Sequence, residues 1–233
     1  MSETGWTIGF LLFPGLTQLD LTGPYEVLAR LPGSGDRLHL IWKAREPVTS
    51  DSGLTILPTT TFADRPRLDI VCVPGGPGVG ALMEDAETLD FLRAAAGEAR
   101  YATSVCTGSL VLGAAGLLRG RRAACHWMSR DLLAAFGAEP VAERVVVDGN
   151  VVTGGGVTAG IDFALTLVAE IAGAETARKI QLLLEYDPAP PFDTGSDRSA
   201  PADLVAEMRT AAAERQAKRA EIVARAAARL DRY

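Results

Sequence analysis

Apolar positions along the chain fall into two alternating patterns. Runs rich in β-branched and aromatic residues at 7–13, 38–42, 69–74, 101–105 and 122–125 predict strands. Between and after them, apolar residues recur at three- and four-residue intervals over 19–31, 85–99, 108–115, 129–136, 157–172 and 174–184, which predicts helices. Strands that alternate with helices bury their apolar faces as a largely parallel sheet with helices on both faces, so the predicted class is α/β. Two hairpin signals interrupt the alternation. One is 48–57, turning near Asp51-Ser52-Gly53; the other joins 145–147 to 151–153 through Asp148-Gly149-Asn150, a sequence that tolerates positive φ.

Residues 187–200 are rich in proline, aspartate and serine and lack any period, which predicts a surface loop. From 201 to 233 one long Ala-rich helix is expected. Pro201 suits its first turn, and Leu204, Met208, Ala211, Ile222, Ala226 and Leu230 form an apolar stripe. A lone helix has no core of its own. The expected division is therefore an α/β domain over 1–186, a loop over 187–200, and a helix packed on the body or on a dimer partner.

Composition narrows the function classes. The chain has 233 residues, 48% hydrophobic and 22% charged, which suits a globular domain with a sizeable core. A net charge of −6 leaves no basic footprint for nucleic acid. The stretch 151–172 carries Asp162 and Glu170, so no membrane span is expected. The apolar segment 6–13 follows Glu3 rather than a basic region, so no secretory signal is expected either. Three widely spaced cysteines argue against a disulfide framework and for a reducing, cytoplasmic location. With two histidines and no Cys-x-x-Cys, no metal site is expected.

Cys106 is the strongest chemical candidate. It follows the apolar run 102–105 and precedes Thr107-Gly108-Ser109 at the start of a helix. Such a strand-to-helix turn is where open α/β sheets bind ligands and where hydrolases set their nucleophile. The amides of the following helix should lower the thiol pKa into the range of about 3.5–7.5. Cys72 and Cys125 lie in apolar strand segments and suit the core. Asp20, between Leu19 and Leu21 at a helix start, fits two roles. It caps its helix, or it sits buried beside the cysteine with a raised pKa and moves a proton. The turn Pro74-Gly75-Gly76-Pro77-Gly78 suggests a pocket for developing negative charge, with the Gly76 and Thr107 amides as donors. A dinucleotide site fits it poorly, since proline removes an amide and no helix pattern follows at once. His126 has no His-x-Glu around it and receives no catalytic role.

Together these residues resemble the ThiJ/PfpI branch of the class I glutamine-amidotransferase-like superfamily, through 19–29, 73–80, 104–118 and 152–165. The resemblance implies a single flavodoxin-like doubly wound sheet, with Cys106 as nucleophile and Asp20 as the acid beside it. Leu19-Asp20-Leu21-Thr22-Gly23-Pro24, Trp42-Lys43, Cys106-Thr107-Gly108-Ser109 and Glu185-Tyr186-Asp187-Pro188 look like the members that hydrate isocyanides to N-substituted formamides. That likeness implies a covalent thioimidate on Cys106, Asp20 as general acid and base, and the Thr107 hydroxyl on Asp20 or a water. It also implies no cofactor, a small-molecule isocyanide as partner, and a homodimer. The missing His-x-Glu departs from true amidotransferases, and Asp20 departs from the glutamate usual in deglycase-type members. A ligand- or redox-sensing module, or a deglycase or hydrolase on the same cysteine, are the alternatives. A regulator would need several short basic helices, and the C-terminal pattern predicts one helix of mixed charge.

Overall fold

Strand segments Ile8–Leu11 (β1), Leu38–Trp42 (β2), Val48–Thr49 (β3), Thr55–Ile56 (β4), Thr60–Thr61 (β5) and Ile70–Val73 (β6) occupy the first part of a computed structural model, which describes residues 5–230. Tyr101–Val105 (β7), Arg122–Ala123 (β8), Glu139–Pro140 (β9), Val145–Asp148 (β10) and Val151–Gly154 (β11) follow. The helices are Gln18–Leu28 (α1), Val79–Leu82 (α2), Ala86–Glu98 (α3), Gly108–Ala114 (α4), Ala159–Ala172 (α5), Ala174–Leu183 (α6) and Ala202–Leu230 (α7). Residues 231–233, expected to extend the last helix, and residues 1–4 lie outside the described residues.

The main sheet runs β10-β11-β7-β6-β1-β2-β5, parallel throughout except for the β10–β11 hairpin. Every residue of β1, β6 and β11 is buried. That is why these segments read as continuous apolar runs rather than alternating ones. Without the edge strand β5 and the antiparallel β10, the order β2-β1-β6-β7-β11 is second, first, third, fourth, fifth along the chain. This is the flavodoxin-like order, and its direction reverses between β1 and β6. The chain segments leaving β1, β6 and β7 therefore open one crevice at the carboxyl edge of the sheet.

Both expected hairpins form, with Gly53 at φ +89° and Gly149 at φ +60° in their turns. Three expectations are corrected. The run 122–125 yields a two-residue strand, paired with β9 in a separate small sheet. Its next amide, Ala124 N–H, leaves the ladder to donate to Thr153 Oγ1 at 2.8 Å. The segment 129–136 is a 3-10 helix, Arg130–Phe136, closed by Gly137 at φ +74°. On α7 the buried positions are Ala212, Val223 and Ala226, one residue round from much of the expected stripe, and Leu204 and Met208 are exposed. Helix α7 packs on α4, α2 and the 3-10 helix.

One close helix contact fixes the start of α1. A Cβ at Gly160 of α5 would come within 2.9 Å of Pro24 Cδ in α1, so glycine lets the two helices approach. Pro24 sits one turn beyond Asp20.

Candidate active site

Cys106 directly follows β7 with φ +57°, a left-handed conformation that side chains other than glycine adopt at a cost of about 1–2 kcal/mol. Its amide donates to Gly154 O at 3.0 Å, which anchors the turn to β11. Thr107 and α4 follow at once, so the sulfur faces the Thr107 amide. Strain of this kind at a strand-to-helix turn is how a nucleophile is raised above the sheet edge.

Asp20 is fully buried in the first turn of α1. It makes no cap bond to its own helix. Its Oδ2 instead accepts the Gly75 amide at 2.9 Å, from the loop after β6. Its Oδ1 accepts no hydrogen bond among the described residues. Burial pushes the carboxyl up to about 7; the Gly75 amide and the Cys106 thiol pull it down, and the Asp51 charge adds to the rise. Of the two roles open in the sequence, the geometry favours the carboxyl beside the cysteine.

The expected acidic thiol is corrected. Burial is the first influence on Cys106, the Asp20 charge the second and Cys125 the third, and all push its pKa well above the ordinary thiol value. The Thr107 amide opposes them, but Cys106 is only 4% exposed. The two groups face each other closely enough to titrate as a unit, with burial resisting charge on both.

The glycine turn is also placed differently from expectation. A Cβ on Gly75 would meet Thr107 N at 2.5 Å, Thr107 Oγ1 at 2.7 Å and Asp20 Oδ2 at 2.9 Å, so no larger residue fits. The Gly76 amide donates to Thr107 Oγ1 at 3.0 Å. It is therefore engaged by the Thr107 hydroxyl in this structure. The Thr107 hydroxyl in turn engages Gly76, not Asp20. The turn positions Asp20 and Thr107, while the Thr107 amide remains the donor aimed at the Cys106 sulfur.

A pocket of about 180 Å³ opens over Cys106, lined by Thr17, His126, Val157 and, from α7, Arg215, Gln216 and Arg219. His126 Nδ1 accepts the Met128 amide at 3.3 Å, which leaves the ring proton on Nε2. Burial, then the Arg219 and Arg215 cations, lower its pKa. A neutral His126 with Nδ1 occupied is a hydrogen-bond donor on the pocket wall. The α7 residues escaped the sequence reading because more than a hundred positions separate them from Cys106. The available signal was polar Gln216 and Arg219 at the three- and four-residue spacing of the buried Ala212, Val223 and Ala226.

The DJ-1/PfpI family model matches residues 7–170. The chain belongs to the DJ-1/PfpI family. It is 62% identical over 224 residues to a protein of Pseudomonas putida named isonitrile hydratase, covering 96% of this chain and 97% of that one. A solved ThiJ/PfpI family structure from Pseudomonas syringae superposes with a TM-score of 0.91 at 47% identity, covering 94% of this chain and 90% of that one. An HTH-type transcriptional regulator of Pseudomonas aeruginosa is 32% identical over 187 residues, covering 78% of this chain and 51% of the regulator.

Proposed function

We propose that the chain is an isonitrile hydratase, a cysteine-dependent, cofactor-free lyase that adds water to an isocyanide to give an N-substituted formamide. The carrying observation is the buried Asp20 carboxyl, held at Oδ2 by Gly75, bare at Oδ1, and set against Cys106. Identity of 62% along nearly the whole length of the Pseudomonas putida hydratase supports the same chemistry. The regulator likeness is half as strong and takes in about half of that protein.

Asp20 titrates at about 7 and Cys106 above it, so near neutrality the pair can hold one proton on sulfur and a charge on the carboxylate. As Sγ bonds to the isocyanide carbon, Asp20 takes the thiol proton and passes it to that carbon, where one C–N bond of the triple bond has opened. The product is a thioimidate on Cys106. Asp20 then takes a proton from water as the oxygen adds to the thioimidate carbon, and that proton moves to nitrogen. The adduct collapses: the C–S bond breaks, the carbonyl forms, and the hydroxyl proton returns to sulfur through Asp20. One water is consumed and the pair is regenerated. The Thr107 amide stabilises charge on sulfur throughout. Gly75 fixes Asp20, and Gly76 fixes Thr107.

The same proposal includes a homodimer in a reducing, cytoplasmic setting. Three buried unpaired cysteines and a series of exposed apolar side chains support it. It keeps residues 1–186 as the α/β domain, with 187–200 as a loop to the C-terminal helix. Purified protein incubated with an alkyl and an aryl isocyanide should release formamide, followed by chromatography, and Cys106→Ala should release none. Absence of formamide from both substrates would end this assignment.

A further inference from the structure

We propose that Arg219, reaching back from α7, is a positioning residue that supplies the counter-charge for the Cys106–Asp20 pair and is aimed by Ser129. Taking the hydratase cycle above as its basis, the pair carries one proton on two acidic groups and so holds a negative charge in a narrow pocket. A charge there is costly unless a partner meets it. Arg219 lines that pocket and is half-buried. Among the described residues it forms no salt bridge, and its hydrogen-bond partner is neutral. Arg219 Nη1 donates to Ser129 Oγ at 2.9 Å, and Ser129 Oγ donates to Gln216 Oε1 at 3.0 Å. Ser129 is 1% exposed, so this relay is fixed by packing.

The helix itself argues for a purpose. Positions 212, 216, 219, 223 and 226 share one face of α7, and Ala212, Val223 and Ala226 are buried on it. Gln216 and Arg219 therefore occupy places in a packing stripe. Burial is the largest influence on Arg219 and disfavours its charge; Cys125 and Cys106 favour it, and Arg215 opposes it. Asp20 from α1 and Cys125 from the segment after β8 act on the sulfur, and His126, Arg215 and Arg219 line the same pocket as Cys106. Arg219 acts on the neighbouring Cys125 as well, more than Arg130 does. Cys125 is pushed up to about 12 and stays a thiol, His126 is neutral, and Arg215 is exposed to water. Arg219 is the cation that remains for the pair.

The test compares wild type with Arg219→Gln, Arg219→Lys, Ser129→Ala and Arg229→Gln. The last removes the same charge from the same helix, where it pairs with Glu84 outside this pocket. Two readouts are taken: the pH dependence of iodoacetamide alkylation at Cys106 by mass spectrometry, and the pH profile of kcat/KM for formamide release. Arg219→Gln should move the alkylation midpoint alkaline by about one pH unit, with about tenfold slower labelling at pH 7. Arg219→Lys should recover most of that loss, Ser129→Ala should show part of it, and Arg229→Gln should follow wild type. A folded Arg219→Gln protein with the wild-type alkylation profile would overturn the proposal. Should that variant not fold, an unshifted profile in Ser129→Ala overturns it instead. Wild type that releases no formamide removes the hydratase function and leaves the alkylation profile as the test of Arg219.

Discussion

Asp20 works against the fold that holds it. In the unfolded chain its carboxyl ionises at 3.8, and in the folded chain at about 7. As pH rises from about 4, the unfolded state loses this proton first, which favours unfolding. The penalty grows until about pH 7 and is constant above it. At ~1.4 kcal/mol per pH unit its ceiling is about 4 kcal/mol. Asp20→Asn keeps an acceptor for the Gly75 amide and cannot ionise. It should therefore gain stability over wild type between pH 4 and 7, and melt several degrees higher at pH 8, by thermal denaturation across that range. The same variant should lose about two to four orders of magnitude in formamide turnover, since an amide cannot carry the proton. A gain in stability with loss of activity separates a proton carrier from a helix cap, because asparagine caps about as well as aspartate. Cys106 and Asp20 are legible in the sequence because a turn cysteine and an acid among leucines are local patterns. The direction of the thiol shift is not, because it depends on Asp20 arriving from another element. Nor are the Gly76 and Thr107 roles, which depend on which donor the folded turn leaves free.

At the scale of elements, α1 delivers Asp20 and α5 sets where α1 lies. Gly160→Ala places a methyl against Pro24 Cδ, where an ideal Cβ would stand at 2.9 Å. Alanine gains about 1 kcal/mol in helix propensity, which offsets much of the cost of the small displacement. Net stability should change by less than about 1.5 kcal/mol. Turnover should fall about tenfold, because small displacements of reacting groups are expensive in rate. Thermal melting and kcat measured together would check this, and unchanged kcat would place the proton carrier beyond the influence of the α1–α5 contact. Helices α1, α3, α4, α5 and α6 are readable from apolar spacing alone. The register of α7 is less so: in an Ala-rich helix many residues are small enough to sit on either face, and its outer half exposes Leu204 and Met208. The polar Gln216 and Arg219 mark its buried side better than the leucines do.

For the whole molecule, the strand order brings segments from residues 20, 75 and 106 to one edge of the sheet, and the return of α7 closes the pocket. The parallel core follows from the continuous apolar runs, whereas β5 has two threonines and no period to announce it. The remaining large-scale feature is apolar surface. Leu182 is 81% exposed, Leu183 70% and Phe192 76%, and Leu204 and Met208 are exposed on the same stretch of chain. A run of large apolar groups facing water over α6, the loop and the start of α7 is costly for a monomer and suits a protein interface. The expected partner is a second copy of this chain. Light scattering should give twice the chain mass at micromolar concentration. Leu182→Glu combined with Leu183→Glu should shift the protein toward monomer while changing the melting temperature of the monomeric fold little, because surface substitutions cost about 0.5 kcal/mol or less. Wild type that stays monomeric across that concentration range would remove the dimer, and a double variant that still dimerises would move the interface away from the end of α6.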